Sequence, residues 1–460
     1  MTTTPFSVSG QRVLVVGAAR SGVAAALLLV RRGAAVTLTD RRDAIPQAAE
    51  LAEAGVALEL GGHRDEIFTA ADLIVTSPGV PLELPGLARA RAAGVPVIGE
   101  LELASRWLRG PVVAITGTKG KSTTTTLVGR MLEAAGRRVL VGGNIGVPLS
   151  AQVEDSTADT VHVIEASSFQ LESTERFHPW IAALLNFSPD HLDRHPDVAA
   201  YAEAKARIFL NQTPADWTVV NAESPEALEL AARSQARRVR YAVDPAAMDA
   251  AVFADRGFIW QRTSEGEVPL VPLASVALSG RHLLSNVVAA TAISTLAGAD
   301  GAAATRALDG FTGLEHVMEP VATIGGVRFV NDSKATTVDA AARSIESFAG
   351  VVAIVGGKFK GGNLADLAVP LSAQGRAVVA IGEARPLVRE ALAGAVPVVE
   401  ADSLASAVRE AWRLAKPDGV VLLAPACASF DMFVDYADRG RRFKEEVGRL
   451  AEEARAMGEQ

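Results

Sequence analysis

A single cysteine, Cys427, stands among 460 residues, which excludes an internal disulfide framework and fits a chain kept in a reducing compartment. No apolar run is long enough to cross a bilayer. The stretch Met1 to Gly10 lacks the charged and apolar regions of a signal peptide, so a cytoplasmic location without membrane insertion is expected. Positive charge is not in excess: 45 Lys and Arg against 53 Asp and Glu leave a formal net charge of −8, and no electrostatic reason to expect nucleic acid as a partner. Tandem repeats and low-complexity segments are also missing. What remains is a globular composition, 49% hydrophobic and 21% charged, too long for one ordinary core and suited to about three domains. Local basic residues must then serve anionic small molecules.

The most informative stretch is Val112 to Thr126, Val-Val-Ala-Ile-Thr-Gly-Thr-Lys-Gly-Lys-Ser-Thr-Thr-Thr-Thr. Its β-branched run predicts a buried strand, Gly117 and Gly120 a tight turn, and Leu127, Val128, Met131 and Leu132 a following helix. In such a loop backbone N–H groups and the positive end of the helix dipole face an anion. Lys121 reaches terminal phosphates, and a hydroxyl of Ser122 or Thr123 ligates Mg²⁺. Gly117, Thr118, Lys119, Gly120, Lys121, Ser122 and Thr123 are therefore candidate contacts of a nucleoside triphosphate. The spacer Thr118-Lys119 is shorter than the four residues of the common P-loop pattern.

Upstream, a strand Arg12 to Val16, the turn Gly17 to Gly22, a helix to Arg31 and a strand Val36 to Thr39 ending at Asp40 make a βαβ opening of the dinucleotide-binding kind. Ala19 replaces the middle glycine, and the turn suits NAD, a sugar nucleotide, or only close helix packing. Strands Leu73 to Thr76 and Val95 to Ile98 extend this sheet, with Ser77-Pro78-Gly79 at a carboxyl end where ligands of open α/β sheets bind. A boundary falls near Ser105 to Gly110.

After the phosphate loop, strands Val139 to Gly142, Val161 to Ile164 and Ile181 to Phe187 alternate with helices. Glu165 closes the second of these strands and is the first candidate for a Mg²⁺ carboxylate. His191 and His195 are four apart, open to a zinc reading, to a surface pair, or to a histidine aimed at substrate. Lys205 lies on the apolar stripe of Tyr201, Ile208 and Phe209, where a lysine must snorkel, pair, or lose its charge; a neutral amine there could take up CO₂ and become a carbamate beside Glu165. Between Asn221 and Leu278 the chain reads as irregular, with short strands and acidic turns, and no chemistry is assigned. Ser279-Gly280-Arg281-His282 opens a helix through Asn286, and Gly310 to His316 reads as a hinge. The last third predicts strands Val327 to Val330, Val351 to Val355, Ala377 to Ile381, Val396 to Val399 and Gly419 to Leu423. The turns Asn331 to Thr336, Gly356 to Gly362 and Pro425 to Phe430 bring Lys334, Thr336, Lys360 and Ser429 to one sheet edge, donors suited to a ligand with two carboxylates. The tail, Lys444 to Gln460, reads as a charged amphipathic helix that packs weakly.

The loop Gly-Thr-Lys-Gly-Lys-Ser-Thr resembles the ATP loop of the Mur ligase family, the ATP-dependent amino-acid-adding enzymes of peptidoglycan precursor synthesis. The resemblance runs from Gly17 to about Lys444. Its most specific part, Asn-Asp-Ser-Lys-Ala-Thr at Asn331 to Thr336 with Ala-Cys-Ala-Ser-Phe-Asp at Ala426 to Asp431, is that of the member adding D-glutamate to UDP-N-acetylmuramoyl-L-alanine. It implies a three-domain α/β chain: residues 1–105 a UDP-sugar-binding Rossmann-like domain, 106–312 a central P-loop-type ATPase with a mostly parallel sheet, and 313–460 an amino-acid-binding Rossmann-like domain. It implies ATP, two Mg²⁺ and a carbamate on Lys205. Lys121, Glu165, His191 and Lys205 would be catalytic, with Ser122, Glu165 and carbamylated Lys205 as metal ligands. Asn286 and Asp332 would contact the nucleotide; Ser21, Asp40, Ser77, Gly79, Asn144 and Ser167 would face the sugar nucleotide; Lys334, Thr336, Lys360, Ser429 and the backbone near Tyr436 would hold D-glutamate. A monomer is expected. Val317, Leu283 and Arg41 depart from the family pattern. Outside the family, an oxidoreductase would rest on the first glycine turn alone, and a regulatory nucleotide-binding protein would need neither Glu165 with Lys205 nor the C-terminal donors.

Overall fold

The computed structural model describes residues 6–192, 194–247, 249–277 and 280–456. Met1 to Pro5, Asp193 in the histidine turn, Ser279 before the Asn286 helix and 457–460 of the expected tail helix lie outside these. Among the described residues the strands form three sheets. Two compact units contain them: Met1–Phe311 holds the first two sheets and Thr312–Gln460 the third.

In the first sheet, β1 (Arg12–Val16), β2 (Ala35–Asp40), β3 (Ala57–Leu60), β4 (Leu73–Thr76) and β5 (Val97–Gly99) run parallel in the order β3-β2-β1-β4-β5. The β-branched runs of β1 and β4 are buried as a doubly covered parallel sheet requires. Chain order reverses between β1 and β4, and this switch point opens a crevice beyond their carboxyl ends. The edge strand β3 was not expected: Ala57 is exposed and Leu58, Glu59 and Leu60 are only partly buried, too short an alternation to register as a strand.

The second sheet contains β6 (Val112–Thr116), β7 (Arg138–Gly143), β8 (Thr160–Glu165), β9 (Ile181–Leu184), β10 (Trp217–Asn221), β11 (Arg237–Ala242), β12 (Val252–Asp255), β13 (Phe258–Thr263) and β14 (Gly266–Pro272) in the order β14-β13-β12-β11-β10-β9-β6-β8-β7. Only β13 and β14 are antiparallel to their neighbours; the irregular stretch after Asn221 is this meander, laid on the edge away from β6. Glu102 fastens the first sheet to the second. Its buried Oε2 accepts the N–H groups of Glu175, Arg176 and Phe177 at 2.9, 3.0 and 3.0 Å, and Arg106 Nε donates to Oε1 at 2.8 Å. Four donors offset the desolvation of one carboxylate.

The third sheet orders β15 (Glu319–Ile324), β16 (Val327–Asn331), β17 (Val351–Gly356), β18 (Gly375–Ile381), β19 (Val398–Glu400) and β20 (Val420–Leu423) as β15-β16-β20-β17-β18-β19, with β15 antiparallel. The tail corrects an expectation. The final helix runs Tyr436–Ala456, and Phe443, Val447, Leu450 and Ala454 are at most 3% exposed within the core that includes Phe329. Spaced at four, three and four, they form a full stripe that removes apolar surface worth about 1.5–3 kcal/mol for each large side chain. The many charges occupy the other face.

His162 on β8 is fully buried, with Nε2 2.8 Å from Ser156 Oγ and no partner for Nδ1. Burial pushes its pKa down to about 4. Below about pH 6.5 the unfolded chain binds a proton that the folded chain refuses, so stability falls as pH drops toward 4, by about 1.4 kcal/mol per pH unit for one such group. The urea midpoint of the wild type should therefore fall more steeply between pH 7 and pH 5 than that of His162→Gln; parallel slopes would remove His162 as the source.

Candidate active site

The phosphate loop is built by strand, turn and helix as its residue types require. Gly117 and Gly120 have φ of +153° and +79°, and a Cβ at Gly120 would stand 2.2 Å from Asn286 Oδ1. Asn286, on the helix Arg281–Leu296, is thereby placed against the loop. Helix Lys121–Ala134 follows, and its positive end faces the turn. Lys121 folds back, Nζ donating to the carbonyls of Gly117 at 2.9 Å and Thr118 at 3.0 Å. Ser122 is half-buried and Thr123 buried in that first helical turn. Asn186 brackets the loop: Lys119 N donates to its Oδ1 at 2.9 Å and its Nδ2 donates to Lys119 O at 3.1 Å. Thr118 Oγ1 is held by Ser188, donating to its carbonyl at 3.0 Å and accepting its N–H at 3.1 Å. Asn186 was missed in the sequence, which placed it inside a strand read from Ile181 to Phe187; β9 ends at Leu184, and the side chain is released toward the loop.

Lys205 does not snorkel. It is 1% exposed, and Nζ donates to Gly117 O at 2.8 Å, the carbonyl that Lys121 also uses. Burial, and then the charge of Lys121, hold its pKa well below the usual lysine value; Asp190 and Glu165 offset only part of this. Glu165, 2% exposed, accepts from Asn144 Nδ2 at 2.7 Å through Oε1, while its buried Oε2 has no hydrogen-bond partner. An orphaned carboxylate oxygen beside a phosphate loop fits a hard divalent cation, which Mg²⁺ sites complete with substrate phosphates and water rather than with a protein cage. Among the described residues no cluster of three His, Cys, Asp or Glu side chains could hold a metal by itself. Asn144, expected to face the sugar nucleotide, thus orients Glu165.

His191 and His195 belong to one tight turn, not to one helical face: the N–H groups of Arg194 and His195 both donate to His191 O, and His191 has φ +56°. His195 is buried with Nε2 3.0 Å from Ser168 Oγ, which leaves that nitrogen unsuited to zinc. His191 is the more exposed of the two. Phe169 is the hub, with His191 edge-on at 5.1 Å and His195 stacked at 5.3 Å. Ser167 caps the short helix Ser168–Leu171 in a reciprocal box with Gln170.

In the first sheet's crevice, Asp40 Oδ2 accepts Ala18 N at 2.6 Å and Arg42 grips both carboxylate oxygens, which holds Asp40 well below the usual carboxylate range. Ser77 Oγ donates to Gly17 O at 2.9 Å. A Cβ at Gly22 would stand 1.8 Å from Gly17 O, so close packing alone demands that glycine. Ser21 is half-buried, and Gly79 is exposed with open space around it.

In the second unit the three expected loops are joined. Ala426 N donates to Ala335 O at 3.0 Å, and Lys358 and Ala428 exchange backbone bonds of 2.9 and 3.0 Å. Arg439, fully buried and missed in the sequence, donates to Ser333 Oγ and O at 2.9 Å each and to Cys427 O at 3.2 Å. Its only sequence signal is a basic residue at the position that faces inward on the last helix. Ser333 Oγ donates to Tyr436 O at 2.7 Å. Lys334 and Thr336 are half-buried, Lys360 exposed and Ser429 2% exposed. Asp332 is enclosed, accepting from Ser344 Oγ and Met318 N, and burial pushes its pKa up.

Three family models match in chain order: the Mur ligase MurD-like N-terminal domain over residues 11–99, the Mur ligase middle domain over 115–294, and the Mur ligase glutamate ligase domain over 318–427. The UDP-N-acetylmuramoylalanine–D-glutamate ligase of Acidobacterium capsulatum is 47% identical over 96% of this chain and 97% of its own. The enzyme of that name from Koribacter versatilis is 43% identical over 97% and 99%. Among solved structures, the MurF ligase of Thermotoga maritima in complex with ADP has a TM-score of 0.58 at 16% identity, covering 97% of this chain and 96% of that one. The UDP-N-acetylmuramate–alanine ligase of the same organism has 0.58 at 19%, covering 96% and 100%; at such identities both establish likeness of fold. With three domain matches in order and close likeness along nearly its whole length, the chain belongs to the Mur ligase family.

Proposed function

We propose that this chain is an ATP-dependent ligase that joins D-glutamate to UDP-N-acetylmuramoyl-L-alanine, releasing ADP and phosphate, in the cytoplasmic stage of peptidoglycan precursor synthesis. The observation that carries the reading is the meeting of Lys121 and Lys205 on the Gly117 carbonyl. The name of the 47% identical relative supports the acceptor and the sugar nucleotide. As working domains we take residues 1–105 for the sugar nucleotide, 106–312 for ATP and 313–460 for D-glutamate.

A carboxylate is a poor electrophile, so the alanyl carboxylate must first gain a better leaving group. Transfer of the γ-phosphoryl to it gives an acyl phosphate; the D-glutamate amine attacks, and the tetrahedral intermediate expels phosphate. Lys121 and the loop N–H groups bind the triphosphate and stabilise charge on the transferring group. Ser122, Glu165 and a carbamate on Lys205 would hold Mg²⁺, which when bound screens the two approaching anions. Lys205, whose charged form burial disfavours, would add CO₂ and lose a proton to become that carbamate. Gly117 to Thr123, Asn286 and Asp332 serve the nucleotide, and His191 stands near the reacting centre. Ser21, Asp40, Ser77, Gly79, Asn144 and Ser167 serve the sugar nucleotide. Lys334, Thr336, Lys360, Ser429 and the backbone at Tyr436 serve D-glutamate, on loops that Arg439 holds together.

Phosphate release with Mg²⁺, ATP and UDP-N-acetylmuramoyl-L-alanine should depend on D-glutamate and yield an amide; release with L-glutamate, L-alanine or a diamino acid instead would overturn the acceptor. Lys205→Ala should lose activity by about 10²-fold or more and regain part of it with short carboxylic acids, whereas full activity in the untreated variant would defeat the carbamate. Lys360→Ala and Ser429→Ala should raise KM for D-glutamate far more than KM for ATP. Equal changes in both would count against the assigned loops.

A further inference from the structure

Arg194 stands in the histidine turn, yet its guanidinium leaves that turn in two directions. One amino group donates both to Val80 O and to Glu172 Oε1 at 3.0 Å, and the other reaches Glu83 Oε2 at 3.4 Å. The guanidinium carbon lies 5.4 Å from the centre of the Phe169 ring, on which His191 and His195 also pack. The side chain is 15% exposed, as is that of Glu172. These are the bonds of a planar fork shared between a backbone carbonyl and the half-buried Glu172, with the exposed Glu83 at its edge, an arrangement that a lysine point charge does not reproduce.

Val80 is not an ordinary loop residue. Its N–H closes the Ser77-Pro78-Gly79 turn by donating to Ser77 O at 3.0 Å. A Cβ on Gly17 would come within 2.8 Å of its Cγ2, so Val80 abuts the first glycine turn. At the other end, Glu172 caps the helix Ser168–Leu171, which begins three residues after Glu165. Contacts therefore run from the crevice of the first sheet, through Val80 and Arg194, to Phe169 and the His191 turn, and Phe169 follows in the chain shortly after the strand end that carries Glu165.

We propose that Arg194 is a positioning residue that couples occupation of the sugar-nucleotide crevice to the His191 turn beside the phosphate loop. The proposal rests on the assignment of that crevice to the sugar nucleotide. A ligand seated against Gly17, Ser77 and Gly79 holds the turn that presents the Val80 carbonyl. The carbonyl in turn fixes the guanidinium, and the guanidinium fixes the turn that frames the reacting centre. By linkage, a nucleotide that orders the phosphate loop must favour the sugar nucleotide by the same factor.

The test is a binding cycle with UDP-N-acetylmuramoyl-L-alanine and a non-hydrolysable ATP analogue with Mg²⁺, each titrated alone and in the presence of the other. In the wild type each ligand should tighten the other by about fivefold or more. Arg194→Ala and Arg194→Lys should bring that factor to about one while leaving each single-ligand Kd within about threefold of the wild type. Glu172→Gln, which keeps the shape of the acceptor, should reduce the factor in part. A merely structural arginine would weaken the ATP analogue on its own and lower Tm, without a selective loss of coupling. Unchanged coupling in both Arg194 variants, or no coupling in the wild type, overturns the proposal. A wild type that does not bind the sugar nucleotide overturns the functional assignment itself, and the proposal with it.

Discussion

One carbonyl oxygen organises the central site. Gly117 O accepts from both Lys121 and Lys205, which brings two amines together where the second is shut away from water. Two like charges so close, one of them buried, cannot both persist without anions nearby. Burial and the charge of Lys121 therefore disfavour the ammonium form of Lys205, and Asp190 and Glu165 offset only part of this. Gly117 and Gly120 make the arrangement possible because their positive φ turns the backbone tightly enough to present carbonyls on one side and N–H groups on the other. The Glu165 oxygen that lacks a hydrogen-bond partner is the complementary feature, an acceptor left open beside the loop.

Precision at this turn comes from neighbours rather than from the loop. Asn186 pairs with the backbone of Lys119 in both directions, Ser188 holds Thr118, and Asn144 sets Glu165. Each is a short polar residue just beyond the carboxyl end of a strand of the second sheet, where the sheet fixes its position and the strand no longer needs an apolar side chain. The second unit uses a different device for the same end. Arg439 is buried without an ion pair among the described residues, and its donors are spent on a hydroxyl and two carbonyls from two loops. A guanidinium offers enough rigid donors to join both loops, and burial lowers its pKa only to about 10, so it stays charged at neutral pH.

Much of this was legible before any coordinates. The β-branched runs of β1, β4, β6, β8, β17 and β20 are buried on both faces and read directly as strands, and the glycines with Lys121 and Ser122 announce an anion site. Other elements were legible only in part. β3 offers only four alternating residues, and β11 to β14 carry polar faces whose pattern depends on partners distant in the chain. The tail was underrated because charge on its outer face masked the Phe443, Val447, Leu450 and Ala454 stripe. His191 and His195 have helical spacing but sit in a turn, where the positive φ of His191 breaks the periodicity.

The sequence by itself determined the class of chemistry, because a phosphate loop is a local object whose strand, glycines, lysine and hydroxyls are consecutive. It likewise determined that Lys205 would face the apolar side of its helix, since that follows from spacing alone. Only the tertiary structure decided what Lys205 meets there, that Asn144 serves Glu165, and that Arg194 bridges Val80 and Glu172. Those contacts join residues 21 to 114 positions apart, and such partners are chosen by sheet order and helix packing, which no local pattern encodes.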